Sequence, residues 1–398
     1  MNILENTLSL NRNILLLDAF IDSIEIEYLK KHFCGLVYEN INLNNIETSN
    51  SILLYLTGNI EQINLPKNSN ITIYIIKQLS YNINLDHKYE IIDISSVPIN
   101  IHNVGVFIEQ FFDQNKDYFK LIENEHTFQN ITESNKDGIA LRTGIYLSRI
   151  TKQSEYNLKF NILRCSTILD GPTEGFRETD NEIVNSVNQI ASCFFDQKTD
   201  LNHVLAQIYE NRVVTEDINR REKKVRIKDH SDKTEDMPRN GLIAFCSFYK
   251  NYDSNKYKSS DCLTKMRFRL KPCVKDDTEL AKQFDIILHP NSVFLISLWT
   301  NRLYTHEIVP SHLPTEKIPT RLEYVIRCSK REVIYDELKS RTYIIEDDIN
   351  RRLVEPTSED IANLKEAYFH ENMYDKIMNY DDFYFSLNKG DYMKPIVH

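Results

Sequence analysis

Three residues carry the clearest chemistry in this sequence: His230 and Asp232, in the run His230-Ser231-Asp232, and the distant His306. On an extended segment residues i and i+2 point to the same side, so His230 and Asp232 offer a nitrogen and an oxygen to one metal ion. An imidazole from a neighbouring strand completes a facial triad. Three ligands on one face leave open positions, which suits Fe(II) holding a chelating cosubstrate and dioxygen. Alone, an HxD is a weak signal of a metal site.

The run RLEYVIR (321–327) adds a second constraint. Arg321 and Arg327 are an even number of residues apart and share one face of a strand, while Leu322, Tyr324 and Ile326 take the other. Two guanidinium groups aimed inward from an apolar strand are costly unless an anion meets them. A dicarboxylate such as 2-oxoglutarate satisfies both, each with bidentate geometry. Internal salt bridges, to Glu323 or another acid, are the competing explanation.

These residues need elements to hold them. The stretches 201–209, 241–250, 266–272, 284–290, 292–300 and 321–327 read as strands, rich in β-branched and aromatic residues and divided by short polar turns. Successive strands without helices between them imply a largely antiparallel sheet or barrel. An amphipathic helix is expected over 175–195, with Ile183, Val184, Val187, Ile190 and Ala191 on one stripe. Residues 1–112 alternate strand-like runs (13–20, 51–58, 70–76, 89–95) with helical ones (23–33, and 102–114 by its apolar spacing). They read as a small α/β domain that packs or binds a partner. The tail from 331 is acidic and mixed, with a helix beginning at Ser358.

In order along the chain, LNHVLAQIY (201–209), HSD (230–232), TNRLYTH (300–306) and RLEYVIR (321–327) resemble the motifs of the AlkB-like Fe(II)/2-oxoglutarate dioxygenases. That family shows FNxxLxNxY, HxD, TNxxxxH and RxNxTxR, and SVFLISLWTN looks like the segment before its distal His. The resemblance covers roughly 115–330. It implies an α+β chain whose core is a double-stranded β-helix, or jelly-roll, with flanking helices, preceded by the small α/β domain. The implied divisions are 1–112, 113–330 and 331–398. It further implies iron bound by His230, Asp232 and His306, and 2-oxoglutarate held by Tyr209, Gln207, Arg321 and Arg327. The implied reaction consumes dioxygen and 2-oxoglutarate, yields succinate and carbon dioxide, and hydroxylates a C–H bond or removes an N-methyl group. The chain departs from the pattern at Gln207 and Glu323, where the family has Asn, at Val325 for Thr, and at Thr234, where some members carry a base-reading acid. A carboxylate at 323 repels a cosubstrate carboxylate unless it is protonated or paired.

Three functions remain open. Nucleic-acid modification draws on residues 212–228, which hold seven Lys and Arg against three acids. Arg220, Arg221, Lys223 and Lys224 there, with Thr234, are candidate substrate contacts, and a solvated charged loop is the bland alternative. A protein or small-molecule hydroxylase fits the overall net charge of −10. A non-catalytic jelly-roll binding module is the third. The charge is uneven: residues 1–112 hold 6 basic against 12 acidic side chains and 331–398 hold 9 against 15, so only the middle could present a basic face. Nine glycines and no GxGxxG or GxxxxGK[ST] exclude the usual nucleotide cradles. No basic start precedes an apolar stretch, and apolar runs such as 293–299 are too short for a bilayer, so no membrane is expected. Seven cysteines without a CxxC read as reduced thiols in a cytoplasmic or nuclear compartment.

Overall fold

The computed structural model describes residues 8–18, 23–39, 51–63, 70–83, 89–132, 141–165, 167–196, 199–214, 221–253, 257, 260–274, 277, 279–346 and 349–398. These form a mixed, strand-rich structure with few helices.

At the N-terminal end, Asn13–Leu16, Leu36–Tyr38, Ile52–Asn59, Ile71–Tyr81 and Glu90–Ile92 build a five-stranded parallel sheet. Asn13–Leu16 and nearly all of Ile52–Asn59 are buried, as expected of strands covered on both faces. The helix Ile24–His32 starts where Ser23 accepts a hydrogen bond from the Ile26 amide, with Glu25 and Glu27 in its first turn and Lys30, Lys31 and His32 in its last.

The helix expected over 102–114 does not form. Ile99–Ile101 and Gly105–Ile108 make a hairpin, and the second strand pairs with Ser292–Ser297. His102 and Asn103 take positive φ values of 50° and 59° at its turn. A Cβ on Gly105 would lie 2.6 Å from the Leu295 carbonyl, so the close approach needs glycine. Apolar spacing could not separate the two outcomes; an available sheet edge decided for the strand.

The large sheet runs, edge to edge, through Ile168–Leu169, Gln129–Thr132, Arg142–Ser148, His203–Tyr209, Arg321–Arg327, Leu242–Tyr249, Ser292–Ser297, Gly105–Ile108 and Ile99–Ile101. A second sheet runs through Ile227–His230, Tyr304–Val309, Lys265–Leu270 and Gln283–Ile287. One core joins Phe245, Phe294 and Val325 of the first to Met266, Phe268, Phe284 and Ile308 of the second. The other face of the large sheet buries Val204, Ala206, Ile208, Leu322, Tyr324 and Ile326 against Ile183, Val184 and Val187 of the helix Glu178–Phe194, and Phe119 and Ile122 of Tyr118–Glu125. Strand alternation therefore sends His203, Gln207 and Tyr209, with Arg321, Glu323 and Arg327, away from the helices.

Pairing crosses both expected divisions of the chain, since 99–108 joins the large sheet and Asn157–Asn161 pairs with Glu332–Asp336. That second pairing belongs to a five-stranded sheet completed by Thr151–Ser154, Arg341–Glu346 and Ile349–Arg352. The last long helix, Ser358–Met373, is capped one residue before the expected position. Thr357 accepts from the Asp360 amide, and Asp360 accepts in return from the Thr357 amide. Among the described residues, no helix is long and apolar enough to cross a membrane.

Candidate metal centre

His230 ends its strand directly opposite His306 on the neighbouring one, and their rings lie 4.5 Å apart between centroids. Asp232 follows just past the strand end. Its Oδ1 is 3.9 Å from Nε2 of His230 and 3.9 Å from Nε2 of His306. The sequence-predicted triad therefore converges, although its members are 76 residues apart in the chain at most.

Local bonds fix His230 and Asp232, whereas among the described residues His306 Nδ1 is buried without a hydrogen-bond partner. His230 Nδ1 donates to the Lys228 carbonyl at 2.8 Å, which leaves Nε2 as the lone-pair nitrogen, the usual outer-shell arrangement of a metal-binding imidazole. Asp232 Oδ2 accepts from Nε of Arg327 at 2.9 Å, with Nη2 also 2.9 Å away, so Oδ1 is the oxygen left facing the histidines. Asn301, in the short helix Leu298–Leu303, clamps the Asp232 backbone from both sides: its Oδ1 accepts from the Asp232 amide and its Nδ2 donates to the Asp232 carbonyl, each at 2.9 Å. Ser231 Oγ donates to the Tyr304 carbonyl at 3.1 Å.

The charge states suit a divalent ion. Burial, with help from His230 and Arg327 and against the pull of Asp232, pushes His306 down to about 3. Burial also lowers His230. Burial alone would raise Asp232, but Arg327 and His306 outweigh it and hold the carboxyl below its ordinary range. At neutral pH the cluster is two neutral imidazoles and one carboxylate, a set that matches Fe(II). The walls are aromatic, with Phe245 and Phe268 both 5.5 Å from the His306 ring.

Beside the triad, the paired strands His203–Tyr209 and Arg321–Arg327 place Gln207 opposite Glu323 and Tyr209 opposite Arg321. Arg321 is 2% exposed; its guanidinium carbon sits 4.4 Å over the Tyr209 ring and its Nη2 donates to Glu323 at 3.3 Å. The Tyr209 hydroxyl hydrogen-bonds the Glu323 carboxylate and lies 3.1 Å from Gln207 Oε1. Both inward arginines thus have internal acids, Asp232 and Glu323. Donors nevertheless remain over: among the described residues, Gln207 Nε2, Arg321 Nε and Nη1, Arg327 Nη1 and the Ser247 hydroxyl are buried without a hydrogen-bond partner. Each such group costs about 1–3 kcal/mol, so this face is built to receive acceptors. A narrow crevice lined by Tyr209, Val225, Ile308, Ile318 and Arg321 reaches it.

The expected substrate contacts fare differently. Arg220 lies outside the described residues. Arg221 and Lys223 sit on a two-stranded ribbon with Arg212–Val214, and Lys223 is exposed. Lys224 turns inward instead, donating to the carbonyls of Ser311 at 3.0 Å and Leu313 at 2.6 Å. Thr234 is bound through its amide (3.1 Å) and its hydroxyl to Glu371 of the helix Ser358–Met373. Thr234 also lines a cavity of about 310 Å³, together with Met237, Arg239, Arg302, Lys330 and Tyr380. Asn301 and Glu371 were not foreseen. The first lies within TNRLYTH, so the motif contained its signal; the second, on a helix far down the chain, left none.

No protein-family model matches the chain, and no curated protein matches it. Among solved structures, one described as "The structure of OsALKBH1" is similar at 13% identity and a TM-score of 0.33, covering 56% of this chain and 97% of that one.

Proposed function

We propose that the protein is an Fe(II)- and 2-oxoglutarate-dependent dioxygenase, with a jelly-roll core, that hydroxylates a C–H bond or oxidatively removes an N-methyl group. The observation that carries this reading is Asp232 Oδ1 lying 3.9 Å from each of two imidazole nitrogens while Arg327 holds the other oxygen. His230, Asp232 and His306 hold the iron, which when bound supplies the redox centre that activates dioxygen at the expense of the cosubstrate.

The chain's own groups do the rest. Arg321 offers its unpartnered Nε and Nη1, and Gln207 its Nε2, to the cosubstrate's far carboxylate. Tyr209 stacks under Arg321 and keeps the guanidinium plane in place. Phe245 and Phe268 pack against the His306 imidazole and keep water from it. Arg327 and Asn301 keep Asp232 aimed. Glu323, already paired with Arg321, lowers the positive charge that a dianion would meet.

For the substrate, exposed Lys223 and the ribbon that carries it support a nucleic-acid strand. A protein or small-molecule substrate is the second reading, favoured by Lys224 and Thr234 being consumed by internal bonds. The test is aerobic succinate formation from 2-oxoglutarate, measured with methylated oligonucleotides, peptide libraries or no substrate. Succinate that depends on Fe(II) and disappears in Asp232→Ala supports the class, and stimulation by one substrate set assigns the target. Succinate no greater than in Asp232→Ala under all conditions contradicts it.

A further inference from the structure

A second cluster of ionisable groups lies away from the triad, where the helix Tyr118–Glu125 ends, the helix Glu178–Phe194 begins and the last residues of the chain return. We infer that His126, Glu174 and His398 form a second metal site, for a divalent transition ion of the zinc type, with Asp180 orienting His126. His126 Nδ1 is 2.9 Å from Glu174 Oε2, and His398 Nε2 is 3.4 Å from the same oxygen. The three donor atoms lie within 4.8 Å of one another. Bonds of about 2.1 Å meeting tetrahedrally separate donors by roughly 3.4 Å, so small side-chain shifts close the set.

The surroundings favour a metal. Asp180 is fully buried; its Oδ1 accepts from the Tyr324 hydroxyl at 2.7 Å, and its Oδ2 accepts from the Arg177 amide at 2.7 Å. Oδ2 is also 2.8 Å from His126 Nε2. A carboxylate with its lone pairs so engaged puts the shared proton on Nε2 and leaves Nδ1 as the donor toward Glu174. Without a metal, a second proton on the ring holds the Nδ1 contact: burial alone would lower His126, but the hydrogen bonds to Asp180 and Glu174 raise it to about 9, and a divalent ion at Nδ1 takes the place of that proton. An imidazole that binds metal through one nitrogen and donates to a carboxylate through the other is the usual carboxylate–histidine–zinc arrangement. Two imidazoles and one carboxylate are also a known zinc set, leaving the fourth position open.

Charge and backbone agree. Glu125 stands near His126 and Asp180, and its buried Oε2 has no hydrogen-bond partner among the described residues. Three carboxylates therefore surround two imidazoles, and buried negative charge in excess calls for a cation. The tail is delivered on purpose-built pairing: the Gly175 amide donates to the Ile396 carbonyl at 2.8 Å and the Ile396 amide to the Thr173 carbonyl at 3.0 Å. Those bonds bracket Glu174 and bring His398 to it. The site uses none of the residues assigned to iron, and Tyr324 links it to the far face of the Arg321–Arg327 strand.

The test uses the full chain carrying His230→Ala, which disables the first centre. Cobalt(II) alone is titrated anaerobically into this protein after chelation, and zinc is used to compete it away. One equivalent of cobalt per chain, with visible ligand-field bands of a low-coordinate N/O site, is expected. Adding His398→Gln, whose side chain is 19% exposed and so tolerates replacement, should weaken binding about tenfold or more and remove those bands. Adding Glu174→Gln should do the same, with the metal-free circular dichroism of the His398 variant unchanged. No cobalt bound to His230→Ala, or equal affinity with and without His398→Gln, overturns the inference.

Discussion

Glu323→Gln is the most informative single change at the cosubstrate wall. The wild-type carboxylate is 4% exposed and pairs with Arg321 at 3.3 Å, so a cosubstrate carboxylate seated on the unpartnered Nε and Nη1 comes within about 4–5 Å of it. Two like charges about 4 Å apart repel by about 4 kcal/mol at an effective dielectric near 20. That figure is an upper bound, because Arg321 lies between them and attracts both. A net gain of about 1–2 kcal/mol on substitution corresponds to roughly 5- to 30-fold tighter 2-oxoglutarate binding. The assay is anaerobic calorimetric titration of the Fe(II)-loaded protein with 2-oxoglutarate and, as control, with 2-oxobutyrate, which lacks the far carboxylate. Affinity for 2-oxoglutarate should rise in Glu323→Gln while that for 2-oxobutyrate stays within about twofold. Since Arg321 then lacks its internal acid, the ligand-free variant should melt lower and regain stability with 2-oxoglutarate. An unchanged or weaker 2-oxoglutarate affinity would refute the repulsion argument and make Glu323 a positioning residue for Arg321.

Other perturbations follow from the same contacts. Arg327→Met leaves Asp232 buried and unpaired; it should cost about 3 kcal/mol of stability and weaken Fe(II) binding by about 10- to 100-fold, read by urea melts and by metal competition. Glu371→Ala removes the acceptor of the Thr234 amide and of the Tyr380 hydroxyl, the latter at 2.9 Å. It should destabilise the chain by about 2–4 kcal/mol and increase proteolysis near residue 234. Asp391, fully buried, is raised from 3.8 to about 6 by burial, against the hydrogen bonds of Ser386 and Asn388. Its folded-state pKa exceeds the unfolded one, so its contribution is full below pH 3.8 and is lost as pH rises through 6, by about 2–3 kcal/mol. Asp391→Asn should flatten the stability profile across that window, and an unchanged profile would contradict the assignment.

The placement of His230, Asp232, Arg321 and Arg327 was legible because its signals are local or periodic. His230 and Asp232 are two residues apart, and Arg321 and Arg327 share a strand face by alternation. The partners of those arginines were not legible: alternation says that Arg327 points inward, but only folding brings Asp232 to it. Distance in sequence hid the rest. Glu371 reaches Thr234 from a helix beyond an entire sheet, and the cluster of His126, Glu174 and His398 has no local spacing to notice. The segment 102–114 misled because its apolar residues fit a helix, while its strand exists only through Ser292–Ser297. Lys224 looked like one more surface cation because its acceptors, the carbonyls of Ser311 and Leu313, are backbone atoms of a distant turn.

The central claim rests on one centre holding both metal and cosubstrate, and anaerobic absorption spectroscopy addresses it directly. Fe(II) and 2-oxoglutarate added together to the wild-type chain should give a weak visible charge-transfer band that neither gives alone and that His230→Ala abolishes. Absence of that band at millimolar cosubstrate, or its persistence in His230→Ala, would contradict the assignment of His230, Asp232 and His306 as the iron site.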